Sequence, residues 1–333
     1  MSAYAPYQPR PRRPMREASG RRSSPAEWRW SDRFALVAAW STGMLLCLIA
    51  AAIVVYMAVR GIQYLRPAML VTRTNPSLSQ AESGGFLDPI EGTALLTAIG
   101  LVIASPLAVF TALWVVEYGR PAWLARVVES TIEIVAGTPD IVLAVFGLAL
   151  FQLPFMGVFS LEAQGGGVFG RSFISAGAIL SLIALPPLFA ATRDGLQAVP
   201  SHMREAAYAL GKTKIATIRS VLLPSVRSNI AAGVTLGTAR IIGDTAIIVV
   251  LVNTYRIETA SGGPLLSLLK GSGPTLTSFV YENSPAGEGG APQKAYAAAF
   301  VLMVLVFALN VLVGRFGRSN ADETGMTIAG AVV

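Results

Sequence analysis

Charge is what this sequence has least of. Only 14% of its 333 residues are Asp, Glu, Lys or Arg, where a soluble domain carries about a quarter. A soluble enzyme, a coiled coil, a disordered chain and a nucleic-acid module are all poor fits to that balance. Cysteine is limited to Cys47, which excludes an internal disulfide; set in an apolar run, it reads as a small core residue. Histidine is limited to His202, so a zinc site built from Cys and His is excluded and His202 itself reads as a surface residue. The sequence has no G-x-x-x-x-G-K-[ST] loop, so this chain is not expected to bind nucleotide through one, and no cofactor is expected. Nor does any short period repeat.

Long uncharged runs take the place of charge. Hydrophobic residues make up 53% of the chain, and the mean hydropathy is +0.57. A membrane helix needs about 20 apolar residues. Runs at 34–59, 92–116, 141–161, 172–192 and 295–314 carry no charge, and a sixth at 228–255 is interrupted only by Arg240 and Asp244. The expectation is an all-α, polytopic membrane protein of six transmembrane helices. The interrupted span is where function is to be sought first, because ionisable groups inside a bilayer are costly.

Six spans put both termini on one side. With the N-terminus inside, the inner segments hold eighteen Lys and Arg and the outer segments seven, so both termini are expected in the cytoplasm. Residues 1–33, rich in Pro, Arg and Ser, read as a disordered basic cytoplasmic tail. Residues 34–316 form the membrane domain and 317–333 a C-terminal cytoplasmic tail. Between spans, 118–137 reads as an amphipathic helix with Glu129 and Glu133 on a solvated face, ended by Gly137-Thr138-Pro139. Two stretches, 165–170 and 261–292, read as Gly- or Pro-rich outer loops.

The cytoplasmic loop 201–224 contains the sequence REAAYALGKTKIATIRSVLLP from Arg204. Glu205, Ala206 and Ala207 open a helix, Gly211 permits a sharp turn, and Ile215, Ile218, Val221 and Leu222 recur at helical spacing. Pro224 is expected to close this second helix. The small residues let another surface approach closely. The pattern Glu205-Ala206-Ala207, Gly211, Leu223-Pro224 resembles the EAA loop of bacterial ABC-importer permeases. That resemblance implies the type I importer-permease architecture and a loop that docks onto a separate ATPase, with no ATPase activity in this chain. Without it, the stretch is an ordinary helical hairpin.

Further segments resemble the phosphate-importer permease, specifically its second membrane subunit. They are Gly84–Thr93, Glu117-Tyr118, Gly137–Val142, Ala239–Ala246 and the start of the last span at Lys294–Ala299. The resemblance implies a subunit of an ATP-driven importer of inorganic phosphate in the bacterial inner membrane, working by alternating access. The implied partners are two ATPase subunits, a second permease of a different chain and an extracytoplasmic phosphate-binding protein. A basic group must compensate an anion where water is scarce, and Arg240, about 18 Å into its span, fits that need. Asp244, one turn on, can face it, so the candidate anion path is Arg240, Asp244, Thr245 and Arg193. Alternatively, Arg240 and Asp244 only neutralise each other. Arg193 is included because the family's arginine position is occupied here by Ala190. Either the cation has moved one turn along the helix, or the permease carries another oxyanion or small solute. A rival class is an intramembrane hydrolase using Asp140 and Asp244 as an acid pair.

Overall fold

The computed structural model describes residues 30–74, 84–159, 168–252, 268–285, 287 and 290–318. The N-terminal tail up to residue 29, the C-terminal tail from 319 and parts of the two expected outer loops (165–167 and 261–267, 286, 288 and 289) lie outside them. Among the described residues the chain is helical, with only isolated bridges such as Thr74–Gly84. The helices are α1 (Trp30–Tyr64), α2 (Leu87–Leu113), α3 (Ala122–Gly137), α4 (Asp140–Phe151), α5 (Phe173–Ala198), α6 (Ser201–Ala209), α7 (Lys214–Thr217), α8 (Leu223–Gly243), α9 (Ala246–Leu251), α10 (Leu276–Asn283) and α11 (Pro292–Arg318).

Two compact units divide at Val55 and Tyr56. The first unit, among described residues, is the leading part of α1, and its apolar side chains are exposed all round. Cys47 is exposed there, not buried as its apolar setting predicts. A helix that is apolar on every face and buries none of them against protein suits a membrane span.

In the second unit α5 packs along both α2 and α8. Leu96, Gly100, Ala104, Ala108 and Ala112 recur every four residues on α2 and are all buried. The small side chains from Gly100 to Ala112 let helix backbones approach closely, the usual basis of packing between apolar helices in lipid. At the crossing, a Cβ on Gly177 of α5 would lie 2.4 Å from Ile99 Cγ2 of α2. Pro106, Pro186 and Pro187 sit inside continuous helices.

Residues 268–284, expected as part of an outer loop, include α10 and pack into the unit. Thr275 and Ser278 form a capping box on α10, and Thr93 Oγ1 accepts from Leu276 N–H at 2.9 Å. A Cβ on Gly92 would lie 2.2 Å from the Pro274 carbonyl oxygen. Gly92→Ala therefore forces backbone apart and should destabilise the folded protein by about 1–3 kcal/mol. The check is a lower midpoint of thermal unfolding in detergent.

The helix pattern departs from six uniform spans. Among the described residues four helices are long and apolar enough to cross a membrane, and a fifth crossing follows if α3 and α4, bent by 105°, are one broken span. The run expected as a span at 141–161 is helical only to Phe151 and passes into a 3-10 turn at Pro154–Phe159. Pro154 disfavours helix at the residue before it. The run at 228–255 is broken at Asp244-Thr245 between α8 and α9.

Candidate functional site

The stretch between α5 and α8 is a compact helical hairpin. α6 ends in a Schellman turn, with Gly211 N–H donating to Tyr208 O at 2.9 Å and Lys212 N–H to Ala207 O at 3.1 Å. That turn needs a left-handed residue after the cap, and Gly211 supplies it at φ +75°. Thr213 Oγ1 then caps α7 by accepting from Ala216 N–H at 3.3 Å. Pro224 does not close this hairpin. A π turn over Ile218–Leu222 runs α7 directly into α8, where Pro224 lies in the first turn, which tolerates its missing N–H. Ala207 is buried and Leu223 half-buried, whereas Glu205, Ala206, Gly211 and Pro224 are exposed. Met203, Tyr208, Leu210 and Ile215 add large exposed apolar side chains, Leu210 at 80%.

Two basic residues hold the hairpin to its neighbours, and sequence reasoning singled out neither. Arg204 donates from Nη1 to Val199 O at 2.7 Å and from Nη2 to Leu196 O at 2.8 Å, covering carbonyls at the end of α5. Its Nε meets Glu117 Oε1 at 3.1 Å. Lys214 Nζ donates to the Glu117 carbonyl and lies 4.2 Å from the centre of the Tyr118 ring. A basic residue next to Glu205-Ala206-Ala207 and an acid ending the second apolar run were the available signals.

The second cluster forms where helix ends meet. Arg240, in the last turn of α8, pairs through Nη2 with Asp140 Oδ1 at 3.5 Å, the two side chains 49% and 34% exposed. Asp140 occupies the first turn of α4, so each charge lies at the helix end whose dipole favours it. The Arg240–Asp244 ion pair expected from their spacing is not among the described ion pairs. α8 ends at Gly243, and Asp244, extended at ψ 123° and buried, accepts through Oδ1 from Ile247 N–H at 2.7 Å. It thereby caps α9. Thr277 Oγ1 donates to Ile242 O at 2.8 Å, satisfying a carbonyl that the break leaves free. Asp140, Arg240, Asp244 and Thr245 line one open cavity of about 400 Å³.

Arg193 lies elsewhere. It pairs with Glu129 of α3 at 3.1 Å, its guanidinium lies 5.9 Å from the Phe189 ring, and Ala190 and Glu133 share its cavity of about 220 Å³. Glu129 is thus engaged with α5 and not simply part of a solvated face. Of the four expected anion-path residues, Arg240, Asp244 and Thr245 come together and Arg193 does not join them.

The family of binding-protein-dependent transport system inner membrane components matches residues 104–321. The chain is 30% identical over 295 residues to the phosphate transport system permease protein PstA of Yersinia pestis, covering 88% of this chain and 92% of that protein. It is 31% identical over 235 residues to PstA 1 of Mycobacterium tuberculosis (strain CDC 1551 / Oshkosh), covering 70% and 71%. It is also 30% identical over 247 residues to the phosphate transport system permease protein PstC of Xylella fastidiosa (strain 9a5c), covering 68% and 72%. Among solved structures, a chain of a bacterial alginate ABC transporter in complex with its alginate-bound periplasmic protein matches with a TM-score of 0.58. That match has 15% identity and covers 87% of this chain and 96% of that one, a likeness of fold.

Proposed function

Because this chain belongs to the family of binding-protein-dependent transport system inner membrane components, as a membrane permease subunit of a bacterial ABC importer and not itself the ATPase, we propose that it carries inorganic phosphate inward. Permeases of this family work with ATPase subunits and a periplasmic binding protein. For this chain the partners would be two ATPase copies, a second and different permease, and a phosphate-binding protein.

The observation that carries the reading is Arg240, held at 3.5 Å by Asp140 yet half exposed to a cavity of about 400 Å³ at a helix break. A guanidinium in the bilayer region needs a partner, water or substrate. A loose, half-exposed pair leaves donors free for an oxyanion, which a fork of N–H groups suits. The phosphate permeases among its relatives supply the substrate class. Arg193, in its own cavity, has no part in this contact. If α3–α4 form one broken crossing and α8–α9 another, six crossings result, with both termini and the hairpin 201–224 in the cytoplasm.

The alternating-access reading assigns Glu205, Ala206, Ala207, Gly211, Leu223 and Pro224 to the ATPase contact. The whole importer, reconstituted in liposomes with ATP inside, should accumulate labelled phosphate when phosphate-binding protein is supplied outside. Excess arsenate should compete, because it is also a protonatable tetrahedral oxyanion. Uptake of another anion with none of phosphate would refute the substrate and leave the permease reading intact.

A further inference from the structure

We infer that Glu117 is the positioning residue through which the docking hairpin hands its movement to α2, and that Arg204 is the hairpin's grip on it. This rests on the reading of 201–224 as the ATPase contact. Much of the hairpin surface assigned to the partner is exposed, but what lies behind it is not. Glu117 is buried to 8% side-chain exposure, and Arg204 to 21%. The pair joins residues 87 positions apart in sequence, so it cannot be a local helix contact.

The grip is two-sided. Arg204 takes the Glu117 carboxylate while Lys214, beyond the Gly211 turn, takes the Glu117 carbonyl and the Tyr118 ring. The hairpin's two arms therefore converge on a single residue pair. Arg204 also binds Val199 O and Leu196 O, fixing α5 to the same point. A push on the hairpin consequently cannot displace α6 or α7 without carrying the end of α2 or breaking charge-assisted hydrogen bonds in a largely buried setting.

From Glu117, α2 runs back through a π turn at Trp114–Tyr118 as one continuous helix. About 25 Å along it, at 1.5 Å per residue, Gly100 lies against α8. A Cβ on Gly100 would come within 2.8 Å of Ile241 Cδ1, and Ile241 is the neighbour of Arg240. Contact this close transmits displacement, because packed interiors yield little. The chain thus contains a continuous physical link from the hairpin to the charged cavity, made of a buried ion pair, a helix and a tight crossing.

The test reads that link without needing the transported solute. In a Cys47→Ala background, an environment-sensitive fluorophore is attached at Ala239→Cys, an exposed position lining the cavity. The whole importer is reconstituted, and the emission change on adding ATP is measured with ATPase co-purification. Glu117→Gln and Arg204→Gln should each keep the ATPase bound while reducing the emission change at least about fivefold, a typical coupling magnitude. The double variant should be no worse than the weaker single, as expected when two residues act through one contact. A wild-type emission change in both single variants would overturn the inference. So would loss of assembly in both, which would make the pair an element of folding alone. Failure of the docking reading looks different: the ATPase would then remain bound and active on Gly211→Val, and the unmodified importer would give no emission change with ATP.

Discussion

Gly211→Val should lower uptake by about 5- to 30-fold while the protein still inserts and accumulates, and Gly211→Asn should recover most of the loss. The reason is conformational and not steric. Gly211 sits at φ +75° with nothing within 4 Å of where a Cβ would stand, so a side chain has room but the backbone does not suit it. A left-handed conformation costs an ordinary L-residue about 1–2 kcal/mol, equivalent to the stated factor in an equilibrium. Asn adopts that conformation with less strain. The strain falls on the turn that orients Glu205 and Ala206 on one side and Thr213 on the other. The measurements are uptake by reconstituted importer and the amount of ATPase retained on purification. Glu205→Lys, which reverses an exposed charge without touching the fold, should likewise weaken ATPase retention. If both variants retain ATPase and import at wild-type rates, 201–224 is not the contact.

That hairpin was legible because its determinants are local. Small residues, one glycine and a helical period lie within twenty positions, and each acts on its neighbours. Pro224 was misread because a proline stops a helix only if the preceding turns need its N–H. Here the π turn at Ile218–Leu222 changes the hydrogen-bond register ahead of it. The Glu117–Arg204 pairing is not legible in the sequence because it exists only once α2 and α6 are assembled. The same holds for Glu129, whose partner Arg193 is 64 positions away. Hydropathy found the long helices; at 141–161 apolarity persists, but the helix ends at Phe151 and a 3-10 turn follows from Pro154. Apolar composition says what lipid accepts and says nothing about where a backbone breaks.

The charged break presents the largest expected effect. Arg240→Gln should reduce uptake about 100-fold or more, with the complex still assembled. Losing hydrogen bonds to a charged group costs about 1.5–3 kcal/mol, and about 3 kcal/mol corresponds to that factor. The Arg240–Asp140 pairing determines which control separates anion contact from mere neutralisation. Sequence spacing pointed to Asp244, but Asp244 caps α9 through Ile247 N–H at 2.7 Å, while Asp140 faces the guanidinium at 3.5 Å. If the arginine only balances Asp140, the double change Arg240→Gln with Asp140→Asn removes both charges and restores uptake. If the arginine meets the anion, that double variant stays inactive. Asp140→Asn alone then retains substantial uptake, since it releases the guanidinium without removing it. Asp244→Asn supplies the remaining comparison. Asn caps helices about as well as Asp, so the break between α8 and α9 should persist and assembly should be unchanged. Asp244→Ala removes the acceptor and should cost about 1 kcal/mol of stability. Loss of uptake in Asp244→Asn at normal assembly would assign its carboxylate to the transport path as well as to the cap. Rescue by the Arg240–Asp140 double variant would instead leave the cavity a neutralised helix junction, and the anion would have to cross elsewhere.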